Sequence, residues 1–271
     1  MIDDSGPNPM VVGKSFGFML LGGGANGKST LVNILTKLLG DYAVNTPTST
    51  LMASVTNGVG DDLVRMAGAR LITAQETENG QRFAEAKIKS LTGGDEVTGR
   101  PLYGVHVSFK PVGKIVLATN NRPEIRGADE GIWRRIREIP FNRQFKEVEQ
   151  DKQLMSHLVK ELPGILNWAI EGCLKWQSEG LTAPEAVMDS GADYRSEMDT
   201  VAGFISDECY TEPTARHGVG SLYEQYTGWC KAQGKQPRTI IQFGKSLSAQ
   251  GYEKKKDSSG WYWVGLTTYA I

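Results

Sequence analysis

The chain has 271 residues, with 30 Lys plus Arg against 31 Asp plus Glu; the formal net charge of −1 excludes a basic tail protein and any functional reading from bulk charge. Hydrophobic residues at 39% and charged residues at 23% describe a globular chain with one sizeable core or two modest ones, and exclude disorder as the dominant state. No apolar run approaches the ~20 residues that span a bilayer, and the opening MIDDSGPNP is acidic and turn-rich, unlike a signal peptide. The expectation is a soluble, cytoplasmic protein with no membrane partner.

In chain order, residues 3–9 form a turn-rich leader, and residues 15–21 (SFGFMLL) make an apolar run of strand length. This run leads into a glycine-rich loop and then a helical pattern through Leu39, closed by Gly40. Residues 69–74 (ARLITA) and 114–119 (KIVLAT) are apolar without alternation, as expected for strands covered on both faces of a parallel sheet. Between them, residues 97–109 (VTGRPLYGVHVSF) place β-prone stretches around Pro101 and Gly104 and read as a hairpin. From Phe145 to about Glu179 the pattern is helical, punctuated by Pro163-Gly164, and Pro184 is placed to open a connecting helix that runs to about Glu197.

The domain boundary is expected there, dividing the chain into 1–183 and 184–271. In the second part Leu222, Tyr223, Tyr226 and Trp229 share one helix face, and Phe243 and Leu247 line a second helix. Residues 252–256 and 261–266 read as two strands around the turn Asp257-Ser258-Ser259-Gly260. Helix, helix and hairpin is the outline of a winged helix. The expected fold is therefore α/β, a P-loop core with a parallel sheet followed by a small α+β winged-helix domain. Trp261, Tyr262 and Trp263 are expected to split between core and surface. The three cysteines and three histidines are too scattered for a disulfide framework or a zinc site.

The loop GGGANGKST satisfies G-x-x-x-x-G-K-[ST], with Gly22, Gly27, Lys28 and Ser29 at the diagnostic positions. A loop that closes over a polyphosphate must turn its backbone N–H groups inward, which glycines permit, and the following helix points its positive end at the anion. The expected nucleotide contacts are Gly22, Gly24, Asn26, Gly27, Lys28, Ser29 and Thr30, with Lys28 on the β and γ phosphates of ATP and Ser29 on Mg2+. Hydrolysis also needs a carboxylate at the end of a neighbouring strand. The run LITAQETE offers Glu76 for that role, including the metal, and Glu78 in support. Asn120, which ends KIVLATNN beside Asn121, can hydrogen-bond both the γ-phosphate and the attacking water. In GIWRRIREIPF, Arg134 or Arg135 can act as a finger on a neighbouring subunit's nucleotide, or can form a solvated basic edge.

The ordered set GGGANGKST, ITAQETENG, IKSLTGGDEVTGRPLY, KIVLATNNRP and IWRRIREIPF resembles the superfamily 3 helicases, in the branch of phage, plasmid and poxvirus primase-helicases. The segment LYEQYTGWCKAQGKQPRTIIQFGKSLSAQGY looks like the winged-helix segment that follows the ATPase in that branch. The resemblance implies an AAA+-like ATPase motor assembled as a homo-oligomeric ring, usually hexameric. ATP and Mg2+ would then sit between subunits, with Lys28, Ser29, Glu76 and Asn120 from one and Arg135 or Arg134 from the next.

The resemblance also implies partners, namely single-stranded and forked DNA and a primase. A channel hairpin would be residues 97–109, with Lys89 leading into it and Arg100, Tyr103 and His106 as candidate contacts; a buried Tyr103 and a bystander His106 are the competing readings. On the wing, Lys254, Lys255 and Lys256, with Lys245 and Arg238 nearby, are candidates for the duplex backbone, and a solvated charge run explains the three lysines as well. Relatives carry further helices ahead of the loop strand, where this chain has residues 1–14. It is expected to be a fragment or a trimmed relative. A second functional class is an ATP-gated DNA-binding or assembly module with little unwinding.

Overall fold

The computed structural model describes residues 17–53, 61–101, 103–126 and 130–269. The leader, residues 15 and 16 of the first apolar run, and Leu102 of the hairpin lie outside the described residues. The chain divides into two compact units between Gly191 and Ala192. The division falls inside the connecting helix rather than ahead of it.

The first unit begins with β1 (Gly17–Leu21), α1 (Lys28–Leu39), β2 (Ala43–Asn45), α2 (Asp61–Val64), β3 (Leu71–Gln75) and α3 (Glu85–Gly93). It continues with β4 (Val97–Gly99), β5 (Val107–Phe109), β6 (Lys114–Thr119), α4 (Glu130–Trp133), β7 (Ile136–Pro140), α5 (Leu154–Lys160) and α6 (Leu162–Glu179). Strands β2, β3, β6, β1 and β7 pair in that order into one parallel sheet. Leu20, Val116 and Ala118 pack against Val32 of α1, while Met19, Ile115 and Leu117 line an apolar pocket on the opposite face with Leu51, Phe83 and Ile88. Both faces are covered, which is why these runs do not alternate. Each such aliphatic side chain contributes about 1.5–3 kcal/mol by leaving water.

Because the strands are parallel, β1, β3 and β6 all release their following loops at one end of the sheet, where α/β folds bind ligands. The hairpin of β4 and β5 is antiparallel, with Thr98 opposite Ser108. Pro163 lies in the first turn of α6, where its missing N–H costs nothing, so the helix restarts at Leu162. No residue of α5 or α6 is buried, and α6 exposes Leu166, Trp168, Ile170 and Leu174.

α7 (Glu185–Met198) crosses the division. The second unit then holds α8 (Thr200–Glu208), β8 (Cys209–Gly218), α9 (Val219–Ala232), α10 (Ile240–Ala249), β9 (Glu253–Asp257) and β10 (Gly260–Thr268). Its sheet is antiparallel in the order β8, β10, β9. The core is aromatic: Tyr226 stacks on Phe243 with centroids 4.5 Å apart, Phe204 meets Tyr226 edge-on at 5.6 Å, and Trp263 is buried with them. Thr239 and Gln242 form a capping box that starts α10. No helix among the described residues is long and apolar enough to cross a membrane.

Candidate active site

β1 ends at Leu21 and α1 starts at Lys28, so the glycine loop bridges strand and helix. Gly27 makes the final turn with φ +87°, a region that side chains rarely adopt. At Gly22 the constraint is crowding, since a Cβ would lie 2.4 Å from the Phe141 carbonyl oxygen. At Gly24 nothing lies within 4 Å of such an atom.

The Lys28 side chain folds back into the loop and is 5% exposed. Its Nζ donates to the carbonyl oxygens of Gly22 (2.6 Å) and Gly23 (3.0 Å), and reaches Oδ1 of Asn26 (3.1 Å) and of Asn120 (3.0 Å). Burial pulls its pKa below the ordinary lysine value. A buried ammonium requires such oxygen acceptors. The loop opens on a cavity of about 540 Å3, lined by residues 24–30 together with Glu76, Thr77, Thr119 and Asn120.

The far wall is built where β3 and β6 end. Glu76 has φ +66°, and its N–H donates to the Ala118 carbonyl at 2.9 Å, so the chain leaves the sheet sharply at that residue. Such a conformation in a non-glycine residue costs roughly 1–3 kcal/mol and persists where surrounding contacts fix it. Here those contacts are a bridge between the two loops. The Thr77 and Thr119 hydroxyls are hydrogen-bonded, Thr119 donates to the Asn121 carbonyl at 2.8 Å, and Asn121 Nδ2 donates to the Thr77 carbonyl at 3.3 Å. Thr77 and Thr119 are buried, whereas Glu76 and Asn120 are exposed to the cavity.

Of the residues expected in the site, Gly24, Asn26, Gly27, Lys28, Ser29, Thr30, Glu76 and Asn120 line one cavity, and Gly22 contributes its carbonyl to Lys28. Glu78 is exposed and lies outside that lining. Arg134 is also exposed, and Arg135 is half-buried with Nη1 on the Gly131 carbonyl at 2.7 Å; neither lines the cavity. Lys89 is half-buried on α3. On the hairpin, Arg100 Nε closes the tip on the Gly104 carbonyl at 2.9 Å and His106 is exposed. Tyr103 is 96% exposed with φ +62°, so the buried alternative does not hold.

In the second unit Lys254, Lys255 and Lys256 are exposed on β9. Arg238 differs from its expected place on the DNA-facing surface. Its guanidinium is buried, donates to Ser246 Oγ at 2.8 Å and lies 3.8 Å from Asp199, so it ties the body of α10 to the start of α8.

One further polar group carries little sequence signal. Glu138 on β7 is 1% exposed and receives Arg122 Nη2 at 2.6 Å and Arg122 Nε at 3.1 Å, along with the Ser190 hydroxyl. An acid inside the short strand IREIP and an arginine two residues past Asn120 are the only hints. The pair anchors the loop that carries Asn120 to the outer strand of the sheet.

Comparison with known proteins follows the same division. Residues 20–135 match a family of unknown function, DUF5906, and residues 196–262 match the family described as poxvirus D5 protein-like. A protein of Acanthamoeba polyphaga mimivirus, provisionally named helicase L207/L206, is 29% identical over 243 residues, covering 81% of this chain and 25% of that protein. The chain is thus similar to poxvirus D5-like proteins and to proteins of large DNA viruses named as helicases and primases. Among its other relatives are the provisionally named helicase 022R of Frog virus 3, 24% identical over 90% of this chain and 27% of that protein, and the provisionally named primase C962R of African swine fever virus, 23% identical over 86% and 27%. The chain thus spans about a quarter of the length of these relatives. The apo structure of the NrS-1 C terminal region aligns over 93% of this chain and 66% of that one, at 12% identity and a TM-score of 0.46.

Proposed function

We propose that this chain is the ATP-driven helicase or translocase part of a larger DNA-replication protein of a phage, plasmid or other mobile element. The observation that carries the reading is the hydrogen bond of Lys28 Nζ to Asn120 Oδ1 at 3.0 Å, with Glu76 on the same cavity. It joins a phosphate-binding loop to two polar residues at the ends of neighbouring strands.

The donor set fits a triphosphate and a hard cation. Loop N–H groups and the start of α1 hold the phosphate oxygens, which replace the loop and side-chain oxygens now around the Lys28 ammonium. Ser29 and Glu76 supply the oxygen ligands that Mg2+ prefers, and the ion, when bound, neutralises phosphate charge. Glu76 orients the attacking water and accepts its proton, while Asn120 senses the terminal phosphate. Arg134 or Arg135 completes the site from the adjacent subunit of a ring, which the family resemblance implies is hexameric. Lys89, Arg100, Tyr103 and His106 face the DNA strand from the hairpin side. The second unit acts as a winged helix, with Lys254, Lys255 and Lys256 on backbone phosphates. A primase belongs to the same polypeptide or is its partner.

The test uses the full-length polypeptide. ATP hydrolysis should rise with single-stranded DNA, forked duplex should be separated, and Lys28→Ala should abolish both. Mixing Lys28→Ala with Arg135→Ala or Arg134→Ala should restore some hydrolysis if the arginine acts across an interface. A wild-type assembly that hydrolyses ATP at a rate indifferent to DNA and separates no strands overturns the motor reading in favour of a nucleotide-gated binding module.

A further inference from the structure

The hairpin of β9 and β10 sorts its side chains by face. Cross-strand register places Trp261 opposite Lys256 and Trp263 opposite Lys254, so these four share one face. Alternation puts Glu253, Lys255 and Asp257 on the other face, where Lys255 is paired with Glu253 at 3.0 Å. The acids are thereby segregated from Lys254 and Lys256.

The two tryptophans of the shared face have different fates. Trp263 is 2% exposed in the aromatic core, whereas Trp261, one step nearer the turn, is 52% exposed beyond the edge of that core. What meets its ring is charge: Lys254 Nζ lies 5.0 Å and Lys256 Nζ 5.7 Å from the ring. Two like charges side by side around a half-exposed indole repel each other, and an anionic ligand relieves that repulsion.

We infer that Trp261 stacks on an unpaired base of single-stranded DNA while Lys254 and Lys256 take the phosphates on either side of it. The ligand must offer an aromatic face between two anions, which describes a nucleotide within a strand. Duplex DNA hides its base faces within the stack, so the unpaired strand is the fitting form. The inference rests on reading the chain as DNA-acting, and adds a contact to bases where that reading had only contacts to backbone.

The experiment measures binding of the full-length chain to a fluorescent oligothymidylate and to an abasic strand of the same length. The wild type should bind the base-bearing strand more tightly. Trp261→Ala should weaken that binding about tenfold and leave the abasic strand unaffected, and Trp261→Phe should recover most of the loss. Lys254→Ala with Lys256→Ala should weaken both strands alike and flatten the salt dependence. If Trp261→Ala misfolds, Trp261→Gln serves in its place.

Equal effects of the Trp261 variants on both strands, no effect on either, or a wild type that binds neither strand overturns the inference. Loss of strand binding with DNA-independent ATPase intact marks a failure in the wing alone. Base-dependent binding without any ATPase keeps the wing and removes the motor.

Discussion

The two units hold their candidate residues in opposite ways. In the first, Lys28 is buried under four oxygen acceptors, Glu76 sits on a left-handed backbone fixed by the Thr77–Thr119–Asn121 bridge, and the loop bearing Asn120 is tied to a buried carboxylate. In the second, Lys254, Lys256 and Trp261 stand at the rim of a finished aromatic core. On the proposed function, chemistry that must place atoms to a fraction of an ångström would be built into the fold, and contacts to a mobile polymer laid on its surface. Substitutions of the buried groups that brace the first site should therefore disturb stability and activity together, and those in the second should change binding alone.

The largest effect that sharpens this contrast is at the cavity. Lys28→Ala should lower ATP hydrolysis by about a hundredfold to a thousandfold, and Glu76→Gln should do the same with nucleotide binding retained, as measured by steady-state rates and calorimetry. Next is Arg122→Met, which leaves Glu138 buried without its cation and should cost about 3–5 kcal/mol in chemical denaturation. A comparable loss is expected for Trp263→Ala, whereas Trp261→Ala on the same strand should leave the denaturation midpoint unmoved; equal losses at the two tryptophans would break the contrast.

Smaller effects test the bridge and the core. Thr77→Val should reduce the rate about tenfold with little change in KM for ATP, and Thr77→Ser should restore it, because only the hydroxyl is required. Least disturbing is thiol labelling of the native chain. Cys173 is exposed and should react, while Cys209, whose pKa burial raises to about 12, and buried Cys230 remain protonated and silent until the second unit unfolds. Mass spectrometry of the labelled peptides reads this directly.

Much of the first site is legible in the chain because its signals are local. The glycine loop, the helix closing at Gly40 and the apolar runs of β1, β3 and β6 each lie within a dozen residues, and parallel pairing then brings Glu76 and Asn120 to Lys28. What is not legible depends on distant partners. Glu138 finds Arg122 across 16 residues and Ser190 across 52, and Arg238 reads as a surface cation until Ser246 and Asp199 enclose it. Strand β8 escapes notice because CYTEPTARHG is polar and contains Pro213. It is tolerated as an edge strand with its pairing broken between Val264 and Leu266. The aromatic run at 261–263 shows that exposure depends on where the core ends, which sequence alone does not mark.

The crowding at Gly22 separates two glycines of one loop, the first fixed by the sequence pattern and Gly24 at a position the pattern leaves open. A methyl group there collides with the Phe141 carbonyl even before any nucleotide arrives, whereas one at Gly24 enters open space. In a randomised library sorted first by soluble yield and then by capture on an ATP resin, replacements at Gly22 should vanish in the first sort and those at Gly24 only in the second. On the proposed function the loop would thus answer to two separate demands, one from the protein's own backbone at Gly22 and the other from its guest at Gly24.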